Sequence, residues 1–164
     1  LDIVIYNRGI GGFVTQELLD NIDVCILDLA PRRLFINIGT NDLSDPAISI
    51  EDMIANYDKI LTIVQDKLPD IDIYMMAYYP INYDAATEEM KPCLLIRTND
   101  KIAQANEAVR TLAKAHHAHY IDINAPLKDE QGNLKAEYTI EGMHIKEQGY
   151  RAIFDSFIKY ALED

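Results

Sequence analysis

Basic residues are scarce in this chain, and the shortage excludes one class of partner. Lysine and arginine total 15 against 27 aspartate and glutamate residues, which gives a formal net charge of -12. A protein that binds nucleic acid needs a basic surface to neutralise phosphates. We therefore expect no nucleic-acid partner, although an acidic surface does not restrict small neutral substrates.

Long apolar runs and paired cysteines are missing as well. No stretch approaches the roughly 20 apolar residues that a membrane-spanning helix needs, so we expect no transmembrane segment. The two cysteines, Cys25 and Cys93, form no metal-type pair, and Cys25 lies in an apolar stretch that favours a small buried residue. The cysteines therefore predict no metal site.

The chain has no internal repeat, low-complexity tract or linker that would divide it. Its 164 residues are enough for one domain with a substantial core, and the hydrophobic fraction of 49% is ordinary for a globular protein. We expect a single domain over residues 1–164, and the sequence leaves oligomerisation open.

Short β-rich runs alternate with amphipathic stretches along the chain. Strands are predicted at residues 1–6, 34–38, 71–77 and 119–123, and helices at 14–29, 50–68, 95–117 and 147–162. Such alternation predicts a three-layer α/β/α domain with a parallel sheet joined by right-handed crossovers. Ligands of these sheets bind beyond the carboxyl ends of the strands, so the loops that follow the strands are the candidate functional segments.

The loop after the first run contains three glycines within four positions, at residues 9–12, directly before a helix. Glycines let the backbone turn tightly with its N–H groups outward, and a helix start adds unpaired N–H groups and a positive dipole end. This loop is suited to an oxyanion or a phosphate, although a plain tight turn also explains such glycines.

The next loop reads Gly39-Thr40-Asn41-Asp42. An asparagine at the carboxyl end of a strand can aim its amide into the crevice and donate a hydrogen bond where negative charge develops. The alternative is a turn capped by the asparagine and the aspartate, which is common.

An acid and a histidine three residues apart, Glu141 and His144, lie in the loop before the last predicted helix. A carboxylate in that position can accept the Nδ1 proton, fix the tautomer and stabilise the imidazolium formed when Nε2 takes a proton. Tyr78 and Tyr79 follow the third strand and are candidates to wall a substrate pocket, with ordinary packing as the alternative. Arg8, beside the glycine loop, is a candidate to attract an anionic substrate, with a solvent-facing side chain as the alternative.

The order of these blocks resembles the SGNH hydrolases, also called GDSL esterases and lipases. The resemblance runs from the glycine loop at residues 7–12 through Gly39-Thr40-Asn41-Asp42 to Gly142-Met143-His144-Ile145 and Gly149-Tyr150. It implies a flavodoxin-like SGNH fold and an oxyanion hole made by the Gly12 N–H and the Asn41 amide. It also implies that His144 is the general base, oriented by Glu141, and that no metal or organic cofactor is needed.

The sequence departs from the family at two positions. The family usually has aspartate where this chain has Glu141, and the family's nucleophile lies in a Gly-Asp-Ser motif that this sequence lacks. The serines present are Ser44, Ser49 and Ser156. Ser44 lies three positions past Asn41, but nothing in the sequence places it against His144.

These departures predict that about twenty to thirty-five residues, one strand–loop–helix unit, precede Leu1 in the complete protein. In the family that first strand lies between the strands corresponding to residues 1–6 and 34–38. Without it two rows of backbone groups stay unpaired, so another segment or chain would have to supply it. The chain as written is expected to be catalytically incompetent.

The resemblance predicts serine-dependent hydrolysis of a small acyl or acetyl ester, or of a lysophospholipid-like ester, with a small-molecule substrate. One alternative is a binding module that kept the fold and lost the nucleophile. The other is a flavodoxin-like phosphate or nucleotide binder that uses the turn at residues 9–12, which leaves Asn41 and the Glu141–His144 pair unexplained.

Overall fold

The structure is a computed structural model that describes residues 4–162 of the chain. Its elements are the helices α1 (Thr15–Asp20), α2 (Ile22–Cys25), α3 (Ile50–Lys67), α4 (Lys91–Ile96), α5 (Asn99–Ala115) and α6 (Glu147–Leu162), and the strands β1 (Arg33–Ile36), β2 (Asp72–Met76) and β3 (His119–Ile121). Single 3-10 turns lie at Leu27–Leu29, Asp42–Ser44, Ala125–Leu127 and Ala136–Tyr138. Within residues 4–162, every helix is too short or too polar to span a bilayer.

The three strands form a parallel sheet in the order β1-β2-β3, and helices cover both of its faces. Successive side chains of a strand point to opposite faces. Ile73 and Met75 of β2 accordingly join the larger core cluster with α1, α2, α3 and α5, whereas Met76 packs in a smaller cluster with α6. The predicted three-layer α/β/α class is confirmed.

An aromatic row crosses the α6 side of the sheet. Phe35, Tyr74 and His119 are register partners on the three strands, and their rings stack at centroid distances of 4.7 Å. Phe157 of α6 meets Phe35 edge-on at 4.9 Å. This row fixes α6 against the sheet and thereby positions the loop that precedes α6.

The predicted helices at 50–68 and 147–162 are confirmed as α3 and α6. The helix predicted over 95–117 is broken instead into α4 and α5. The Thr98 side chain accepts a hydrogen bond from the Lys101 N–H at 3.1 Å and starts α5 afresh, so Arg97 turns inward at the break. The stretch predicted as helical at 14–29 is likewise divided, into α1, α2 and a 3-10 turn.

The strand predicted at residues 1–6 is not formed by residues 4–6, the part of this segment that the structure describes. Residues 1–3 lie outside the described residues, and Val4, Ile5 and Tyr6 form no strand and are 77%, 68% and 60% exposed. A strand needs neighbouring backbone groups to pair with. Among residues 4–162 no segment pairs with residues 4–6, which explains the outcome.

A groove of about 870 Å³ separates residues 4–10 from β1. Its walls are mostly apolar, and they come from three layers of the fold: Leu18, Cys25 and Ile26 of the α1–α2 region, Phe35 of β1, and Phe157 of α6. Asn37 and Asn41 line the groove beyond the carboxyl end of β1. The groove therefore extends from the core to the carboxyl edge of the sheet.

Candidate active site

The loop after β1 places Asn41 against the glycine turn. Asn41 begins the 3-10 turn Asp42–Ser44, and its Nδ2 donates to the Phe13 carbonyl at 2.9 Å. A side-chain amide has two N–H donors. One of them holds the glycine turn, and the other has no acceptor among residues 4–162.

Gly12 lies in that same turn, directly before Phe13. It has a φ of +85°, a left-handed conformation that favours glycine, and it is exposed. Among residues 4–162 nothing accepts a hydrogen bond from its N–H. The structure therefore brings Gly12 and Asn41, which are 29 positions apart in sequence, to one side of the carboxyl edge.

Asp42 strengthens this junction from within the core. Its carboxylate accepts hydrogen bonds from the Thr15 backbone N–H, at 3.0 and 3.2 Å to its two oxygens, and from the Thr15 hydroxyl. Both residues are fully buried, at 1% and 0% exposure. The two loops that carry the candidate donors are thus joined through consecutive residues, Asn41 and Asp42.

His144 and Glu141 form the pair expected from their spacing. The Nδ1 atom of His144 lies 3.0 Å from Glu141 Oε1, and the backbone N–H of His144 donates to the same oxygen at 2.5 Å. The His144 side chain is 77% exposed, and the Glu141 side chain 20%. The longer acid reaches the imidazole without difficulty, and Nε2 faces outward with no partner among the described residues.

The loop that carries this pair is held at Gly142. Its N–H donates to the Thr139 hydroxyl at 2.9 Å, and its carbonyl accepts from the Asn82 N–H at 2.8 Å. Gly142 has a φ of +91°, and a Cβ there would collide with the Asn82 carbonyl and with Ala86. Only glycine fits this position, which keeps Glu141 and His144 against the loop after β2.

Arg97 lies between the two loops and was not predicted from the sequence. It is 5% exposed, and its Nη1 donates to the Thr40 carbonyl at 3.3 Å. Burial lowers the pKa of its guanidinium, and the neighbouring Cys93 and Glu141 oppose that shift. No sequence signal distinguished Arg97, because the periodic pattern of the predicted helix continued through it.

Tyr78 lies in the core, and its predicted role in walling a pocket stays a prediction. It is 2% exposed, and its hydroxyl donates to the Ile38 carbonyl at 2.6 Å in the core. Burial also raises its pKa well above the usual value. These contacts agree with the alternative of ordinary packing, and β2 ends one residue earlier than predicted.

Tyr79 and Arg8 lie nearer the surface. Tyr79 is half-buried beside α6, where burial and then the neighbouring Tyr150 raise its pKa to about 12. Arg8 is exposed on the glycine loop and lines the groove beside β1. The roles predicted for these two residues remain predictions.

None of the three serines is hydrogen-bonded to His144 in the part of the chain that the structure describes. Ser49 caps α3 by accepting from the Asp52 N–H at 3.0 Å, and Ser156 lines a separate cavity on α6. Ser44 ends the 3-10 turn that follows Asn41. Residues 4–162 also contain no cluster of three or more side chains suited to hold a metal ion.

Comparison with known protein families gives one match over most of the chain. Residues 1–152 match the GDSL-like Lipase/Acylhydrolase family. Among characterised proteins, the chain is 26% identical over 153 residues to an N-acylneuraminate cytidylyltransferase of Escherichia coli. That match covers 93% of this chain, which spans about a third (34%) of the length of that enzyme.

Solved structures share the fold. A candidate platelet activating factor of Streptococcus pneumoniae is 32% identical with a TM-score of 0.86, over 97% of this chain and 73% of that one. A GDSL-like lipase of Bacteroides thetaiotaomicron is 24% identical with a TM-score of 0.76, over 94% and 73%. An acetyl-xylooligosaccharide esterase of Geobacillus stearothermophilus is 16% identical with a TM-score of 0.73, over 96% and 72%.

Proposed function

The chain belongs to the GDSL-like lipase/acylhydrolase family, which supports ester hydrolysis in general, and from this premise we propose that it carries most of a serine-dependent esterase site. In this proposal His144 is the general base, Glu141 orients it, and Gly12 with Asn41 forms the oxyanion hole. The nucleophilic serine comes from a segment outside residues 1–164. The substrate is a small acyl or acetyl ester, or a lysophospholipid-like ester.

The observation that carries the proposal is the Glu141–His144 pair. The 3.0 Å contact at Nδ1 orients the imidazole while Nε2 stays open to the solvent. A general base needs its free nitrogen within hydrogen-bond reach of the proton that it removes. The departure from the family at position 141, glutamate for aspartate, is compatible with this proposal, since the glutamate also accepts a hydrogen bond from the His144 backbone N–H.

The chemistry follows from these positions. The serine oxygen attacks the ester carbonyl while His144 Nε2 takes its proton, and Glu141 stabilises the imidazolium. The carbonyl electrons move onto oxygen, where the Gly12 N–H and the free Asn41 N–H donate to the oxyanion. The oxyanion then re-forms the carbonyl, the ester C–O bond breaks, His144 returns the proton to the leaving alcohol, and an acyl-serine remains. Water, deprotonated by His144, attacks this acyl group, the bond to the serine oxygen breaks, and His144 returns the proton to that oxygen, which releases the acid and regenerates the serine.

The groove beside β1 supports the proposal that the nucleophilic serine follows a further strand, one that pairs with β1. The edge of β1 facing the groove has no strand partner among residues 4–162, and a paired strand would lie about 4.8 Å from it. The walls from α1–α2 and from α6 would cover the two faces of such a strand. A strand parallel to β1 would end near Asn41 and the glycine loop, where a serine would meet the proposed oxyanion donors.

A short acyl group is the favoured substrate. The sequence has no long hydrophobic segment that would cover a long acyl chain. One structural relative is an esterase of acetyl-xylooligosaccharides. We propose acetyl or similarly short esters first, with Tyr79 and Arg8 as candidate contacts for the remainder of the substrate.

The test is hydrolysis of p-nitrophenyl acetate by the protein expressed from its complete reading frame. We expect His144→Asn to lower kcat by about 10⁴-fold or more, because proton transfer is lost. His117→Asn is the matched control, since His117 is exposed and has a left-handed φ of +53° that asparagine tolerates. Fluorophosphonate labelling followed by peptide mass spectrometry would locate the serine.

A second candidate, a catalytically silent binding module on the same fold, is favoured by the lack of any serine bonded to His144 within residues 4–162. A folded complete protein that hydrolyses neither acetyl nor longer esters and takes up no fluorophosphonate would select this candidate. Labelling at a serine outside the present sequence would exclude it.

A further inference from the structure

Asp42 is a fully buried acid that the proposed reaction does not use. Its carboxylate is 1% exposed, and no basic side chain lies within ion-pair distance of it among residues 4–162. An ionised carboxylate in such a place needs hydrogen-bond donors to offset its lost hydration. Here all of the donors come from Thr15, the first residue of α1.

The donor set explains why an acid is present. Thr15 presents a backbone N–H and a hydroxyl to Asp42, and the hydroxyl oxygen also accepts from Asn56 Nδ2 at 3.3 Å. Because the Asn56 amide donates to the Thr15 hydroxyl oxygen, the hydroxyl proton points to Asp42. Both oxygens of a carboxylate accept hydrogen bonds from Thr15. An amide at position 42 would replace one of these oxygens by an NH2 group, which cannot accept them.

The position of Asp42 links this contact to the proposed oxyanion hole. Asn41 holds the Phe13 carbonyl and Asp42 holds the Thr15 N–H, so two consecutive residues hold the turn directly after Gly12. Oxyanion donors act only when they lie within about 2.7–3.1 Å of the developing charge. A contact that holds this turn would therefore set the separation between the Gly12 N–H and the Asn41 amide.

We propose that Asp42 is a positioning residue that fixes the two oxyanion donors relative to each other through its buried contact with Thr15. This inference rests on the proposed esterase function, but its structural part is independent of it. Asp42 does not touch the reacting atoms. It acts through the glycine turn on one side and through its chain neighbour Asn41 on the other.

The test compares Asp42→Asn with Asp52→Asn in the complete protein. Asp52 is the matched control, because its carboxylate also binds groups at a helix start, the Ser49 hydroxyl at 2.7 Å and the Ser49 N–H, on the exposed end of α3. We expect Asp42→Asn to lower kcat for p-nitrophenyl acetate by about 10²-fold, as misplaced catalytic groups do. KM should stay within about twofold, since a displaced donor affects the transition state more than substrate binding.

Conservative variants and amide hydrogen exchange separate positioning from simple stability. Thr15→Ser keeps the hydroxyl and should retain kcat, whereas Thr15→Val removes it and should lower kcat about tenfold. Exchange of the Thr15 amide should accelerate in Asp42→Asn and stay unchanged in Asp52→Asn, in which the Ser49 amide should respond instead.

The outcomes are distinct from those of the proposed function. If the wild-type protein is inactive but exchange of the Thr15 amide accelerates in Asp42→Asn, the proposed esterase function is overturned. The structural part of the inference, the contact that holds the turn, is then retained. An active wild-type protein in which folded Asp42→Asn keeps the kcat of Asp52→Asn would overturn the positioning role. Unchanged exchange at Thr15 in Asp42→Asn would overturn it as well.

Discussion

The two halves of the candidate active site differ in how firmly the fold holds them. The donor half, Gly12 and Asn41, is joined to the core by the fully buried residues Thr15 and Asp42. The base half is a surface loop in which the His144 side chain is 77% exposed, and within residues 4–162 the hydrogen-bond partner of its ring is Glu141. Oxyanion stabilisation depends on preorganised donors, whereas a general base needs one oriented nitrogen and access to the proton.

This difference indicates which contacts fix the geometry of each half. The geometry of the donor half is fixed by tertiary contacts between segments far apart in the chain. The geometry of the base half is fixed by a contact between residues three positions apart, supported by Thr139 and Asn82 at Gly142. Substitutions should therefore act differently on the two halves, and four predictions test this.

The largest effect within the comparison is expected for Glu141→Gln. The glutamine can still occupy the site, but it carries no charge and can donate to Nδ1, which leaves Nε2 protonated and unable to act as base. We expect kcat to fall by about 10³- to 10⁴-fold with little change in KM. Glu147→Gln, which removes an exposed partner of Arg151, is the control and should leave kcat unchanged.

A Glu141→Gln variant with nearly full kcat would show that the base half needs no charged partner. The comparison between a locally oriented base and a preorganised donor pair would then fail.

Asn41→Ala should have the next largest effect, on the donor half. It removes an oxyanion donor and also the contact with the Phe13 carbonyl. We expect kcat to fall by about 10²- to 10³-fold. Asn21→Ala is the matched control, because the Asn21 amide likewise donates to a backbone carbonyl, that of Glu17 at 2.9 Å, on the exposed side of α1.

Equal kcat values for Asn41→Ala and Asn21→Ala, measured on folded proteins, would remove Asn41 from the site. The Gly12 turn would then have to be tested alone.

Glu141→Asp should have a smaller effect, because the charge is kept and only the reach is shortened by one methylene. We expect kcat to fall about tenfold as the imidazole loses part of its orientation. Comparing the steady-state kcat of Glu141→Asp with that of Glu141→Gln separates the contribution of the charge from that of the reach. A fall as large as that of Glu141→Gln would show that the reach of the acid matters as much as its charge.

The smallest effect is expected on stability, for Thr139→Val in the base loop. The substitution keeps the shape of the side chain and removes the acceptor of the Gly142 N–H. The free energy of unfolding should fall by about 1 kcal/mol, which lowers Tm by roughly 2–4 °C. Thr139→Ser retains the hydroxyl and should lie near the wild type in thermal denaturation. A Thr139→Val protein as stable as the wild type would show that the loop is held by Asn82 alone.

The elements that the sequence predicted well are those defined by local patterns. The apolar stripes of α3 and α6 repeat at three- and four-residue spacing over several turns, and both helices begin or end within one residue of the expected bounds. The Glu141–His144 contact was predictable for the same reason, since only two residues separate the acid from the histidine.

The sequence alone determined the three-layer class, because the alternation of strand and helix dictates parallel pairing. Only the tertiary structure decided that Tyr78 and Arg97 turn inward, that Asp42 binds Thr15, and that residues 4–6 stay out of the sheet. Each of these depends on partners that are distant in the chain. Burial and strand pairing are properties of such partners, and no local pattern of residues specifies them.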